Sequence, residues 1–501
     1  MLANQLARRG VRAMIIDRHA GPARETRALG VQARTMEIYA QLGVVERALE
    51  LGKKGTGANV WANGRWAARL PLGEIGRAVT PYSYLFILGQ DDNELILGER
   101  LRALGSDVQW NSELTALAQH SDHAIATLKH PDGSTRELKC EWVAGCDGAR
   151  SAVRELNGIG FPGAPYEHVF YVADVEATGT MVAEEVNAYL VKEGFLLFFP
   201  MRGTDHWRIV GILPAALAGR EGVSFEDVLP AVRGAAGPAL QFKKSSWFST
   251  YRIHHRAAAR FRQGRCFLLG DAAHIHSPVG AQGMNTGLQD AYNLAWKLAL
   301  VLHGKAEARL LDSYEAERMP IARRLLETTD RGFQLAVSDR PLARMVRTHV
   351  AARVAAFALG LESVQRFAFR TISQTGINYR EGPLAQTAGS WPSYAPQAGE
   401  RFPWLQLKFE AGGGVEDSFK KLDDLHFHLL VFGQHAAGKH DLFQLHSIPD
   451  DPHNAEELDR ADIPATSYFL LRPDGHIALC GARLEASVLQ RYLRDKLGSS
   501  A

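Results

Sequence analysis

Apolar residues recur along this chain at two spacings, and the change from one to the other divides it. In the opening stretch "MLANQLARRGVRAMIIDRHAG", Leu2 and Leu6 stand four apart with Ala3 and Ala7 beside them, and Arg8 and Arg9 fall just before Gly10. This pattern predicts an amphipathic helix closed by Gly10. Val11 to Ile16 follows as a short, almost wholly apolar run ending at Asp17, the pattern of a parallel strand buried on both faces. "GQDDNELILGERLRALG" predicts a helix with Leu95, Leu97 and Leu101 on or near one face. "CEWVAGCDGARSAVREL" predicts a buried strand that passes through a glycine turn into another helix.

From 163 to 258 the texture shifts to strands rich in aromatic and β-branched residues: "HVFYVADVEATG", "NAYLVKEGFLLFFPM" and "HWRIVGIL". These predict an antiparallel sheet inserted into the first domain. The expected order is therefore an α/β nucleotide-binding domain whose first part is 1–162, the inserted sheet at 163–258, and the second part of the α/β domain with helices at 259–375. The Gly-, Pro- and Ser-rich stretch 376–400 reads as a linker, and 401–501 as a small α/β domain with a hairpin at Asp474-Gly475.

Composition narrows the function. The chain has 501 residues and a formal charge of +2, which nominates neither nucleic acid nor an anionic membrane as a partner. Cys140, Cys146, Cys266 and Cys480 are widely spaced and form no CxxC pair, so neither a disulfide framework nor a zinc knuckle is expected, and a cytoplasmic location fits. No apolar run is long enough to span a bilayer, and the start lacks the layout of a secretory signal. His274-x-His276 and His254-His255 lack the further ligands a metal needs, so no metal is expected.

The chemistry concentrates in "GRCFLLGDAAHIHSPVGAQGMNTGLQDAYNLAWKL". An apolar strand delivers Gly270-Asp271 to the carboxyl end of a sheet, where ligands of such folds bind and where Asp271 can accept from ligand hydroxyls. Pro278, Gly280, Gly283 and Gly287 let backbone approach a flat ligand closely. The helix beginning near Met284 and Asn285 aims free N–H groups at developing negative charge, as a reduced flavin ring requires. Asp17, at the end of its strand, is placed to accept from ribose hydroxyls.

Together with "GCDGARSAVR" and "LGQDDNELIL", this loop resembles the single-component (class A) FAD-dependent aromatic hydroxylases, the family of 4-hydroxybenzoate hydroxylase and phenol hydroxylase, over nearly the whole chain. The resemblance implies a Rossmann-like FAD-binding domain, a β-sheet substrate domain and a thioredoxin-like C-terminal domain. Asp271 is then the acid at the ribityl chain, Pro278 the proline beside the reactive edge of the flavin, and Met284 with Asn285 the pair whose backbone meets the pyrimidine end. Gln90 resembles the glutamine at the diphosphate or ribityl region, and Asp17 with Arg18 the pair at the adenosine ribose. Arg27 resembles the arginine near the phosphates that is implicated in nicotinamide use. Arg34 is a weaker candidate, because helix-surface arginines are usually solvated. Asp147-Gly148 matches a motif tied to both FAD and the nicotinamide, and Arg150 and Arg154 stand one helical turn apart as phosphate contacts or ordinary surface charge.

The implied reaction is hydroxylation of a small phenolic or polyketide-like aromatic compound with FAD, NADPH or NADH, and O₂, through a flavin C4a-hydroperoxide. No side chain is nominated as a general base. Phe195, Phe198 and Phe199 are candidates for the pocket wall with Pro278, although alternation keeps Phe198 and Phe199 from facing the substrate together. The C-terminal domain lacks a redox CxxC, which favours a packing or homodimer role. One departure from the family stands at the front: the strand and GxGxxG turn that precede the first helix are absent. An assigned start that falls too late is the expected reason. Alternatives are a flavin oxidoreductase without oxygen insertion and a degenerate, FAD-poor binding protein.

Overall fold

Leu2–Arg8 forms the first helix (α1), and Gly10 ends it at φ +73°, where a residue without Cβ is favoured. The apolar run after it pairs over only two residues: Ile15–Ile16 (β1) lies parallel to Val108–Gln109. Val11 and Ala13 pack on the core that contains Leu6, whereas Arg12 and Met14 face solvent, Met14 at 48% exposure. The run is therefore buried on one face, not both. The helix Gln90–Ala103 (α2) buries Asn93, Ile96 and Leu101 and leaves Leu95 at the surface, a rotation of the expected stripe by one residue. The computed structural model describes residues 1–498 apart from 23–27, 63, 192–193, 277–281, 338–360 and 437–439. No described helix is long and apolar enough to cross a membrane.

The inserted sheet is larger than its sequence segment. Eight strands line up in the order 274–275, 241–257, 163–178, 206–212, 194–200, 186–191, 58–62 and 65–70. The last two come from the first part of the chain, and Ala58–Ala62 adds to Val186–Val191 in parallel. Without it, 186–191 would be an open edge with a row of unpaired backbone groups. Alternation gives this sheet two apolar faces. Tyr171, Tyr189, Phe198, Trp207 and Ile209 pack under the helix Phe225–Ala236 (α3). Tyr166, Phe170, Phe195, Leu197 and Tyr251 form a separate cluster on the opposite face.

The α/β domain resumes where Val143–Gly145 and Cys266–Leu268 run parallel, followed by the long helix Gly283–Leu302 (α4) and by Asp312–Val337 (α5). The C-terminal sheet has the order 386–388, 477–481, 467–471, 427–432, 443–448. Its first strand lies inside the stretch expected to be a linker. Gln386–Ala388 pairs in parallel with Leu479–Gly481, and Ala395 and Ala398 are buried, so 376–400 is built into the domain. The hairpin turn stands where Asp474-Gly475 predicts it, with Gly475 at φ +73°.

Charged side chains join this sheet to the α/β domain. Arg472 donates to both carboxylate oxygens of Glu317 at 2.6 and 2.9 Å, and Lys297 reaches Glu317 at 2.8 Å. Arg34 donates to the Asp474 carbonyl at 2.6 Å, and Glu37 lies between Arg34 and Arg401. All of these side chains are buried or nearly so.

Candidate active site

The strand Cys266–Leu268 ends in a one-turn 3₁₀ segment, Gly270–Ala272, that carries Asp271. Gly270 takes φ +57°, and a Cβ on Gly287 would lie 3.0 Å from the Gly270 Cα. Glycine at both positions lets the first turns of α4 sit directly against the strand end. Leu269 donates to the Gly145 carbonyl at 3.0 Å, which brings Cys146 and Asp147 beside the same turn.

Asp271 and Cys146 both reach solvent, yet both are ringed by protein. Burial raises the Asp271 carboxyl, with His274 working against it, and pushes the Cys146 thiol up to about 12. No described residue donates a hydrogen bond to the Asp271 side chain.

The start of α4 packs against this turn. Asn285, fully buried, donates to the Gly30 carbonyl at 2.8 Å and accepts from the Gln32 amide at 2.8 Å, imitating a strand partner with its side chain. Both bonds tie the start of this 20-residue helix to the 30–32 segment. The Met284 sulfur accepts from Asn93 at 3.1 Å, which joins the start of α4 to α2. Gln90, the first residue of α2, donates to Glu94 at 3.0 Å. A Cβ on Gly283 would meet the His276 ring at 3.3 Å.

Other candidates have local partners. Asp17 accepts from the His19 backbone and meets its ring, both at 2.8 Å, while Arg18 is exposed. Asp147 accepts from the Val153 amide at 3.1 Å and so steadies the helix Ala152–Leu156. Arg150 is exposed. Arg154 is buried: it donates to the carbonyls of Ala272 at 3.1 Å and Ala149 at 2.8 Å, and its guanidinium lies 3.9 Å over the Phe161 ring. It supports the Asp271 turn from behind. Arg34 is buried at the domain junction, not solvated. Arg27, Pro278 and Gly280 lie outside the described residues.

Phe195 and Phe198 separate. Phe195 joins Phe170, Tyr166 and Tyr251, whereas Phe198 packs beneath α3 with Trp207 and Tyr189. Phe199, on the Phe195 side of its strand, packs with Leu29, Leu85 and Phe369. Tyr166, Phe170 and Tyr251 went unnamed in the sequence, where only their period-two spacing within long strands marks them.

The donor set fits FAD at two points: an acceptor carboxylate for ribityl hydroxyls at Asp271, and helix N–H groups for the electron-rich end of the ring at α4. Residues 1–329 match the family described as FAD binding domain. Over 512 aligned residues the chain is 31% identical to 6-methylpretetramide 4-monooxygenase of Streptomyces rimosus, covering 98% of this chain and 90% of the relative. It is 32% identical over 490 residues to a rifampicin monooxygenase of Streptomyces venezuelae, covering 96% and 93% respectively. The solved structure of the anhydrotetracycline hydroxylase OxyS from Streptomyces rimosus superposes with a TM-score of 0.78 at 28% identity, covering all of this chain and 97% of that one. The chain belongs to the class A FAD-dependent aromatic hydroxylases. It is an FAD-dependent aromatic monooxygenase, for which NAD(P)H is the reductant typical of the family.

Proposed function

We propose that this enzyme inserts one atom of O₂ into a phenolic, polyketide-like polycyclic compound, with NADPH or NADH as the source of hydride. The observation that carries the reading is the aromatic face formed by Tyr166, Phe170, Phe195 and Tyr251. That face lies on strands that continue, through Arg256 opposite Ile275 and Ala257 opposite His274, to the segment following Asp271. Flat rings suit a flat polycyclic guest. The relatives named for a methylpretetramide, for rifampicin and for anhydrotetracycline support a substrate of that kind.

FAD, once reduced by the nicotinamide, supplies the activation of O₂ and the transfer of oxygen to the ring. What the chain adds is placement and dryness. Asp271 would hold the ribityl hydroxyls, Asp17 with Arg18 the adenosine ribose, and Gln90 with Asp147 the stretch between. The α4 N–H groups, beginning at Gly283, Met284 and Asn285, would stabilise negative charge at the pyrimidine end. The aromatic face excludes water that would divert reducing equivalents to hydrogen peroxide. The C-terminal strand order, with 467–471 central and antiparallel to both neighbours and 427–432 parallel to 443–448, supports a thioredoxin-like domain. It carries no CxxC, so its contribution is structural, by packing or in a homodimer.

The test is nicotinamide consumption by the purified flavoprotein with a panel of polycyclic phenols, products being read by mass spectrometry. A product heavier by one oxygen atom, labelled from ¹⁸O₂, is expected. Nicotinamide oxidation stimulated by the compound but yielding only a dehydrogenated product would replace this reading with the oxidoreductase one. Absence of bound flavin would overturn both.

A further inference from the structure

Behind the Asp271 turn runs a chain of buried polar contacts that ends in the C-terminal domain. Asp290, on α4, accepts with one carboxylate oxygen from the Gly270 amide at 3.0 Å and meets His274 Nε2 at 2.7 Å. Its other oxygen accepts from Arg318 Nε at 2.7 Å. Arg318, on α5, also donates to the Thr286 carbonyl at 3.1 Å and to the Tyr379 hydroxyl at 2.9 Å. Asp290 and Arg318 are essentially inaccessible to solvent.

Tyr379 is set by the C-terminal domain. Its amide donates to the Gly399 carbonyl, and the Gly399 amide donates to that of Ile477, both at 2.7 Å. Its ring lies 4.4 Å from that of His476, and the Arg472 guanidinium stands over it at 5.0 Å. The hydroxyl therefore reaches Arg318 only when the 472–477 hairpin is docked.

We propose that Asp290, Arg318 and Tyr379 are positioning residues through which the docked C-terminal domain sets the Gly270–Asp271 turn and the start of α4. Both Gly270, on the strand side, and Thr286, on the helix side, are held by members of this chain, and these two segments pack directly on each other beside Asp271. Burial alone would neutralise Asp290, but Arg318 and His274 outweigh it and keep the carboxylate ionised. An ionised, enclosed carboxylate has little freedom: its three partners fix it, and it fixes the turn. The C-terminal domain then acts on the cofactor site without touching it.

Hydrogen exchange of the full-length chain, with and without FAD, tests this. Tyr379→Phe removes only the hydroxyl and keeps the ring on His476; Arg318→Lys keeps the charge and loses the fork. In both variants, peptides spanning 266–276 are expected to exchange about tenfold faster, the scale of losing one hydrogen bond to a charged group. Peptides spanning 467–481 should stay within about twofold of the parent, and the dissociation constant for FAD should rise about tenfold. Unchanged exchange at 266–276 in Tyr379→Phe would overturn the proposal even if Arg318→Lys failed to fold. Equal loosening at 467–481 would also overturn it, by reducing the contact to domain packing.

Discussion

Replacing Glu317 with glutamine tests the ionic junction between the two domains. Glu317 has no solvent access and accepts from Arg472 twice, from Lys297 and, at 2.7 Å, from Asn293. Burial by itself would raise its carboxyl, but Arg472 and Lys297 outweigh that and bring it from 4.5 to about 2. At 1.36 kcal/mol per pH unit, this depression is worth about 3 kcal/mol. Lys297 moves against the pair: burial lowers it from 10.5 to about 8, so the net gain is smaller than the carboxylate alone suggests. Glutamine keeps the shape but removes the negative charge that faces Lys297, which among the described residues then has no anionic partner, while Arg472 keeps Asp474. Removing one member of a buried pair costs about 3–5 kcal/mol, so the expected loss is near 3 kcal/mol. Trp296 donates to Asp474 at 3.1 Å and lies 5.2 Å below the Arg472 guanidinium, which makes it a local fluorescence probe for urea unfolding. The parent should also lose stability as pH falls from 4.5 toward 2, because the unfolded carboxylate takes up its proton first, and the variant should not show this component. A loss below about 1 kcal/mol, or a failure of the added Lys297→Met to restore part of it, would refute the reasoning.

Four further outcomes are expected. Asp271→Ala should raise the FAD dissociation constant about tenfold to a hundredfold in a fluorescence titration, since it removes a charged acceptor. Gly287→Ala should weaken FAD by a similar factor, because its Cβ would press on the Gly270 backbone at 3.0 Å, where neither side can swing away. Phe198→Ala should cost about 3–5 kcal/mol of stability with little effect on KM, whereas Phe195→Ala should raise KM for the aromatic substrate; the reverse pattern would show the two faces of the sheet to be misassigned. His446 is lowered from 6.5 to about 4, chiefly by burial and then by His428, whose Nδ1 lies 3.0 Å from it. The unfolded chain therefore binds a proton that the folded one resists, and stability should fall as pH drops from 6.5 to 4 by about 1–2 kcal/mol after allowing for partial exposure; His446→Gln should flatten the curve.

What was legible in the sequence was local. The turn at Gly10, the strand that carries Gly270-Asp271 and the helix after it rest on neighbours a few residues away, and they stand where the pattern puts them. The alternation that separates Phe198 from Phe199 was readable too, but which face meets α3 depends on residues 225–236 and on pairing across strands. Arg34 looked solvated because its carbonyl partner, at Asp474, is 440 positions away. Val11 to Ile16 looked doubly buried because apolar content does not say that Met14 meets water. Gln386–Ala388 was hidden by the Gly, Pro and Ser around it, and only the open edge at 477–481 explains why it is a strand.

The eight-stranded sheet draws on two stretches of chain more than a hundred residues apart, since 58–70 completes the edge begun at 186–191. Exchange of substrate preference between relatives is therefore not a matter of transplanting 163–258 alone. A recombinant carrying only that stretch would join the 186–191 edge of one parent to the 58–62 strand of another, with Trp61 stacked at 5.5 Å on a foreign counterpart of Tyr189 and the bond from the Trp61 indole to Asn187 left to chance. Chimeras that move both stretches together should fold more often than those that split them, and natural recombination within the family would be expected to respect the same linkage.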